Sequence, residues 1–163
     1  MAISDKLSRR SDDRMESTLS ISAEVPNLDA VLRFVEATAA ALQVSRDVIE
    51  DMLQAVDESV TNIIVHGYRD QSGNVEVGVS LEGEALVVRL RDQAPLFNPT
   101  LVPTPDLTLP LEERRFGGLG IYLAQQFVDS MTYRITAEGR NELTLRKGGR
   151  LENQPRAHGD EQP

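Results

Sequence analysis

Two runs of alternating apolar and polar residues, Val75 to Leu81 and Ala85 to Asp92, flank the turn Glu82-Gly83-Glu84. Period-2 alternation on both sides of a glycine turn predicts a β-hairpin. Leu86, Val88 and Leu90 share a face with Asp92, so one side of the hairpin is aliphatic and must be covered. The covering elements are legible on both sides. Upstream, Leu19, Ile21 and Ala23 alternate as a first strand ending at Pro26. Asn27 then reads as the N-cap of a helix carrying Leu28, Val31, Leu32, Val35, Ala39 and Leu42, and Ser45 as the cap of a longer one that runs to about His66 and is closed by Gly67. Downstream, Gly117-Gly118-Leu119-Gly120 opens a third helix with Ile121, Leu123, Phe127 and Val128 on its buried side. Two last strands, Met131 to Ala137 and Glu142 to Lys147, flank a turn containing Asn141. Strand, two helices, hairpin, loop, helix and hairpin predict an α+β two-layer sandwich, with a mostly antiparallel sheet and helices on one face.

The chain has 163 residues, which suits one domain. We place that domain at residues 16–150. Residues 1–15 and 151–163 are polar and poor in aliphatics, and read as mobile ends. Cysteine is absent, which excludes disulfides, a thiol nucleophile and Cys-ligated zinc. Lys6 and Lys147 are the only lysines and neither follows a glycine-rich loop, so the P-loop and the protein-kinase lysine are both missing. His66 and His158 are the only histidines and no G-x-S-x-G is present, which leaves a serine-hydrolase triad without support. The formal charge of -9 argues against a nucleic-acid partner. With no signal peptide and no apolar run approaching ~18 residues, the expected location is the cytoplasm, without membrane association.

Three features could carry chemistry. On a helical wheel Glu58, Asn62 and His66 recur at i, i+4 and i+8, opposite the stripe Ile49, Leu53, Val56, Val60 and Ile63. This is either a solvated face or a polar site, and Ala55 and Val65 on the same side make it less than fully polar. Asp92 ends a buried-looking row, so either the strand frays into water there or a donor arrives to meet the carboxylate. An adenine amine would be such a donor. The glycines at 117–120, preceded by Arg114 and Arg115, stand at a helix entry, where backbone N–H groups and the helix dipole can receive an anion; a plain flexible junction would look the same. Between Asp92 and these glycines lie five of the eight prolines, in a stretch of about 25 residues with no periodicity, a length usually reserved for lids and binding loops. Read together, the three describe one nucleotide site beneath a proline-rich lid.

These residues resemble the boxes of a known family. Glu58-Ser-Val-Thr-Asn62-Ile-Ile-Val-His66-Gly-Tyr68 resembles the N-box of the GHKL ATPase superfamily, in the form used by anti-sigma-factor serine kinases of the RsbW type. Asp92-Gln-Ala94-Pro-Leu-Phe97-Asn-Pro99 is similar to their G1 box, and Gly117-Gly118-Leu119-Gly120-Ile-Tyr-Leu-Ala to their G2 box. The resemblance implies a Bergerat-type fold binding ATP and Mg²⁺. It implies that Asn62 binds the metal, that Asp92 binds adenine, that His66, Ala94, Phe97, Arg115, Gly117, Gly118, Leu119 and Gly120 complete the nucleotide site, and that Glu58 is the catalytic base. It further implies protein serine/threonine kinase activity toward a STAS-type anti-sigma-factor antagonist, a sigma factor as the alternate partner, and a homodimer. One position departs from the pattern: Ala94 stands where the G1 box usually has glycine. If that backbone needs positive φ, alanine weakens nucleotide binding; at ordinary dihedrals the methyl is tolerated. The alternative reading is accordingly a non-catalytic ATP-binding module that grips a partner.

Overall fold

The computed structural model describes residues 15–110, 112 and 118–148. In chain order the elements are β1 (Ser17–Ser22), α1 (Leu28–Ala41), α2 (Arg46–Asn62), β2 (Asn74–Glu82), β3 (Ala85–Asp92), α3 (Gly118–Phe127), β4 (Ser130–Ile135) and β5 (Asn141–Gly148). The hairpin forms as its alternation requires, with Glu82 paired to Ala85 and Gly83 at φ +61 in the turn, a conformation that glycine adopts without Cβ strain. The five strands are ordered β1-β2-β3-β5-β4, and every neighbouring pair is antiparallel.

One face of this sheet, carrying Leu19, Ile21, Val75, Val77, Val79, Leu86, Val88, Leu90, Leu143 and Leu145, forms a continuous core with the apolar stripes of the helices. Met52, Val56 and Val60 of α2 and Val31 and Val35 of α1 are wholly buried there, and each contributes roughly 1.5–3 kcal/mol relative to exposure. The architecture is thus the α+β two-layer sandwich that the element order predicts. The opposite face of the sheet is a lattice of charges. Arg91 on β3 donates to Glu76 on β2 (2.8 Å), to Glu142 on β5 (2.6 Å) and to Glu16 (2.8 Å). Burial would raise the Glu142 carboxyl, but hydrogen bonds from Arg134 and Arg91 overcome it and hold the group below the usual carboxylate range. Since Arg91 stands directly across from both Glu76 and Glu142, a one-residue slip of either strand would part these charges, so the lattice pins register.

Local details depart from the sequence expectations. Asn27 does not cap α1 with its side chain; its Nδ2 donates instead to the Ser22 carbonyl at 3.1 Å, tying the helix entry to the end of β1. Ser45 occupies the N-cap position of α2 without a side-chain bond, and its Oγ is buried without a partner among the described residues. Leu123 faces outward, and Ala124 with Ile121 makes the buried side of α3. Asn141 is the first residue of β5 rather than part of a turn, which lies ahead of it at Gly139 (φ +77). Of the ends read above as mobile, 1–15 and 151–163, all but Met15 lie outside the described residues, as do residues 149 and 150. Among the described residues no helix is long and apolar enough to cross a membrane.

Candidate functional site

The helix expected to reach His66 stops being α-helical at Asn62, and residues Ile63–Tyr68 continue it as a π-helical turn. Such turns insert a residue into the helical register and are frequent at functional sites. The chain then leaves through Arg69 (φ 48) and Asp70 (φ 66), so Gly67 lies inside the wide turn and does not close the helix. Tyr68, at the end of this turn, is buried. Its hydroxyl donates to the Asn74 carbonyl (2.8 Å) and accepts from the Gln93 N–H (2.8 Å). Its ring occupies the space that a Cβ at Gly73 would need, which is why that position is glycine. Tyr68 thereby fastens the exit of α2 to the residue that follows Asp92.

Between the π turn, the end of β3, the segment after it and the start of α3 lies a cavity of about 710 Å³. Asn62, His66, Gly67, Asp92, Ala94, Phe97 and Gly118 all line it, so these residues, far apart in sequence, meet at one cavity. Leu119 and Gly120 are not in its wall. Arg115 and Gly117 lie outside the described residues. His66 and Phe97 are exposed in its wall, together with Leu96. The expected irregular segment contains one 3-10 turn, Pro99–Leu101, which Asn98 caps by accepting from the Thr100 N–H at 2.9 Å.

Asp92 is the buried carboxylate of the cavity, 3% exposed. The strand does not fray: a donor meets the side chain from within the fold. Oδ1 accepts from the Ala94 N–H (3.0 Å) and from Asn141 Nδ2 (2.9 Å), and Oδ2 has no hydrogen bond among the described residues. Burial raises the Asp92 carboxyl above its ordinary value, opposed by these two donors and by the charge of Arg140. The result is a polarised acceptor with one oxygen saturated and one available. An ionised group buried this deeply requires a further donor or tolerates a standing cost.

The Glu58 face of α2 is not a solvated surface, because α3 packs along it and Ser59 is 4% exposed. Glu58 lies under the first turn of α3, where a Cβ at Gly120 would come within 2.9 Å of its Oε2. Gly120 therefore serves the carboxylate of Glu58 and not the cavity wall. Burial, then the neighbouring charge of Asp57, lifts the Glu58 carboxyl above its ordinary value. One turn on, Asn62 lines the cavity and its carboxamide makes no hydrogen bond among the described residues. No three His, Cys, Asp or Glu side chains converge on a metal site among those residues. The Asn62 carboxamide oxygen is a hard donor, of the type that a hard cation takes alongside water and phosphate oxygens. Lys147 is engaged elsewhere, donating to the Phe127 carbonyl (2.9 Å) and paired with Asp51 (2.7 Å).

Sequence reading missed three residues here: Tyr68 as a clamp, Tyr133, and Asn141, which stands directly opposite Asp92 across the β3–β5 pair. Counting register along the two expected hairpins identifies strands but not which outer strand abuts β3, so the Asp92–Asn141 pairing had no signal in the sequence.

Ala94 answers its own question. Positive φ among described non-glycine residues occurs only at Gln43, Arg69 and Asp70, so Ala94 has ordinary dihedrals and its backbone does not require glycine. Its methyl packs toward Gly67, where an added Cβ would lie 3.2 Å from the Ala94 Cβ. Gly to Ala inside a helix ordinarily stabilises by up to ~1 kcal/mol; here that gain meets a close contact. Gly67→Ala is expected to be more favourable in an Ala94→Gly background than in the natural one by about 0.5–1.5 kcal/mol. Urea unfolding of the four proteins measures the coupling, and strictly additive changes would show that the two positions do not press on each other.

Comparison with known proteins bears on the same region. The family described as histidine kinase-like ATPase domain matches residues 21–147. An anti-sigma F factor of Clostridium kluyveri is 29% identical over 139 residues, covering 85% of this chain and 87% of the relative. The serine-protein kinase RsbW of Bacillus mycoides is 26% identical over 125 residues, covering 72% of this chain and 78% of its own length. A crystal structure of the RsbU and RsbW domains of a Mycobacterium tuberculosis protein shares the fold, with a TM-score of 0.55 at 20% identity, covering 81% of this chain and 32% of that longer one.

Proposed function

Since the chain belongs to the histidine kinase-like ATPase domain family, we propose that it is an anti-sigma regulator that binds ATP with Mg²⁺ and phosphorylates a serine or threonine of a STAS-type antagonist. On this reading the sigma factor and the antagonist compete for the protein, which acts in the cytoplasm as a homodimer. The observation that carries the proposal is the Asp92 carboxylate, buried at the cavity with Oδ1 saturated and Oδ2 without a hydrogen bond among the described residues. An amino group on a flat heterocycle supplies the donor that Oδ2 lacks, and the apolar walls at Ile63, Ile121 and Met131 suit its faces.

ATP, when bound with Mg²⁺, supplies the phosphoryl group and the cation that screens its charge. The chain's own contributions are positional. Asp92 orients the base, Asn62 offers its oxygen to the metal, and the start of α3 at Gly118 presents backbone N–H groups toward phosphate. With no free lysine among the described residues, the phosphate charge falls to the metal, to these amides and to arginine, of which Arg69 lines the cavity. Glu58 accepts the proton of the attacking hydroxyl at its carboxylate. Phosphoryl transfer depends mostly on such positioning and charge stabilisation.

The placement of Glu58 beneath α3 and outside the cavity wall favours a second reading, in which nucleotide only sets the conformation that grips a partner. Both readings expect Mg-ATP to raise the melting temperature saturably, by several degrees at ~100 Kd of free ligand. A flat melting temperature would remove them together. Phosphoserine or phosphothreonine on a STAS-domain antagonist incubated with protein and Mg-ATP selects the kinase; ATP binding with no phosphorylated antagonist selects the module.

A further inference from the structure

We propose that Asn141 makes this pocket read an amino group rather than a carbonyl on a purine, by fixing Asp92 as a pure hydrogen-bond acceptor; this rests on the nucleotide reading above. Asn141 is 6% exposed and every polar atom of its side chain is used. Nδ2 donates to Asp92 Oδ1 (2.9 Å) and to the carbonyls of Ala94 (3.1 Å) and Pro95 (3.5 Å). Oδ1 accepts from the Phe97 N–H (3.1 Å) and from the Tyr133 hydroxyl.

These partners determine which way the amide points. The Ala94 and Pro95 carbonyls can only accept and the Phe97 N–H can only donate. Turning the amide over would set oxygen against carbonyls and NH₂ against N–H. Asp92 Oδ1 therefore always meets a donor from Asn141, in addition to the Ala94 N–H. Two donors on one oxygen leave it no place for a proton and favour the ionised carboxylate, while burial works the other way. An ionised Asp92 offers Oδ2 as an acceptor, which matches the exocyclic amine of adenine and repels the carbonyl of an oxo-purine. Without Asn141 the balance moves to the neutral acid, whose Oδ2–H is a donor and pairs with a carbonyl. Asn141 is thus a positioning residue that sets the hydrogen-bond code of its neighbour, and the same amide ties Ala94, Pro95 and Phe97 into the cavity wall.

The test compares ATP with inosine 5′-triphosphate, which carries a carbonyl in place of the amine. Affinities for both, with Mg²⁺, are measured by titration calorimetry on the full chain and on Asn141→Leu and Tyr133→Phe. We expect the natural protein to prefer ATP by about 100-fold, and Asn141→Leu to lower that ratio by about tenfold or more, with most of the loss on ATP. Tyr133→Phe, which removes one of the two donors that hold the Asn141 amide oxygen, is expected to lower the ratio about two- to threefold. If Asn141→Leu fails to fold, Tyr133→Phe alone decides, and an unchanged ratio overturns the proposal. Equal losses for both nucleotides in Asn141→Leu also overturn it, since that is the mark of a residue supporting only the fold. A natural protein that binds ATP and the inosine analogue equally well overturns this inference alone; one that binds neither overturns the nucleotide reading as well.

Discussion

Asp92→Asn is expected to yield a folded protein whose affinity for ATP is lower by about 100-fold or more, the loss of a charge-assisted hydrogen bond replaced by a donor facing a donor. The asparagine oxygen can take the place of Oδ1 and still accept from the Ala94 N–H and from Asn141 Nδ2. Its NH₂ then occupies the position of Oδ2 and points at the amine it should receive. Stability is expected to move in the opposite direction from binding. Burial raises the Asp92 carboxyl in the folded state, so the ionised form disfavours folding: the natural protein loses stability as pH rises from the unfolded value of this carboxyl through its higher folded value. The asparagine variant has no such loss. Calorimetry with Mg-ATP, paired with urea unfolding on both sides of that window, reads the two effects separately. Unchanged ATP affinity would remove Asp92 from the site.

The sandwich was legible because its signals are repetitive. Period 2 at Val75–Asp92 and period 3.6 through Ile49, Val56 and Val60 are each carried by several residues, so no single exception disturbs them. Asp92 was legible for a related reason: a charge that interrupts an aliphatic row is conspicuous in one dimension. What escaped depends on single contacts in three dimensions. The π turn at Ile63–Tyr68 leaves the composition of the helix unchanged and is stabilised from outside, by the Tyr68 hydroxyl reaching Asn74 and Gln93. Asn141 looked like a turn residue because asparagine favours turns; here it begins a strand, with its side chain spent on Asp92, on Tyr133 and on the segment after β3. The polar stripe of Glu58 and Asn62 was ambiguous between solvent and site until α3 was seen to cover it.

Glu58→Gln is the variant that separates chemistry from binding. If the carboxylate accepts the proton of the attacking hydroxyl, transfer to a STAS-domain antagonist should fall by about 10²–10⁴-fold, with ATP affinity changed by no more than about twofold because Glu58 lies outside the cavity wall. The pH profile adds a second signature. Burial, and then Asp57, raise the Glu58 carboxyl above its ordinary value, and a base must be ionised to act. The rate in the natural protein should therefore decline as pH is lowered through that raised value, on an acid limb that Glu58→Gln does not show. Asp57→Asn removes one of the two causes and should shift the limb to lower pH. Gly120→Ala tests the position of the same carboxylate from its other side: the new Cβ, 2.9 Å from Oε2, displaces Glu58 while leaving Asp92 and Asn62 untouched, so transfer should drop and ATP binding persist. Transfer that survives both Glu58→Gln and Gly120→Ala would mean that the proton leaves by another route, and a natural protein that binds ATP but transfers nothing at any pH would leave Glu58 as a half-buried carboxylate that serves only the packing of α2 against α3.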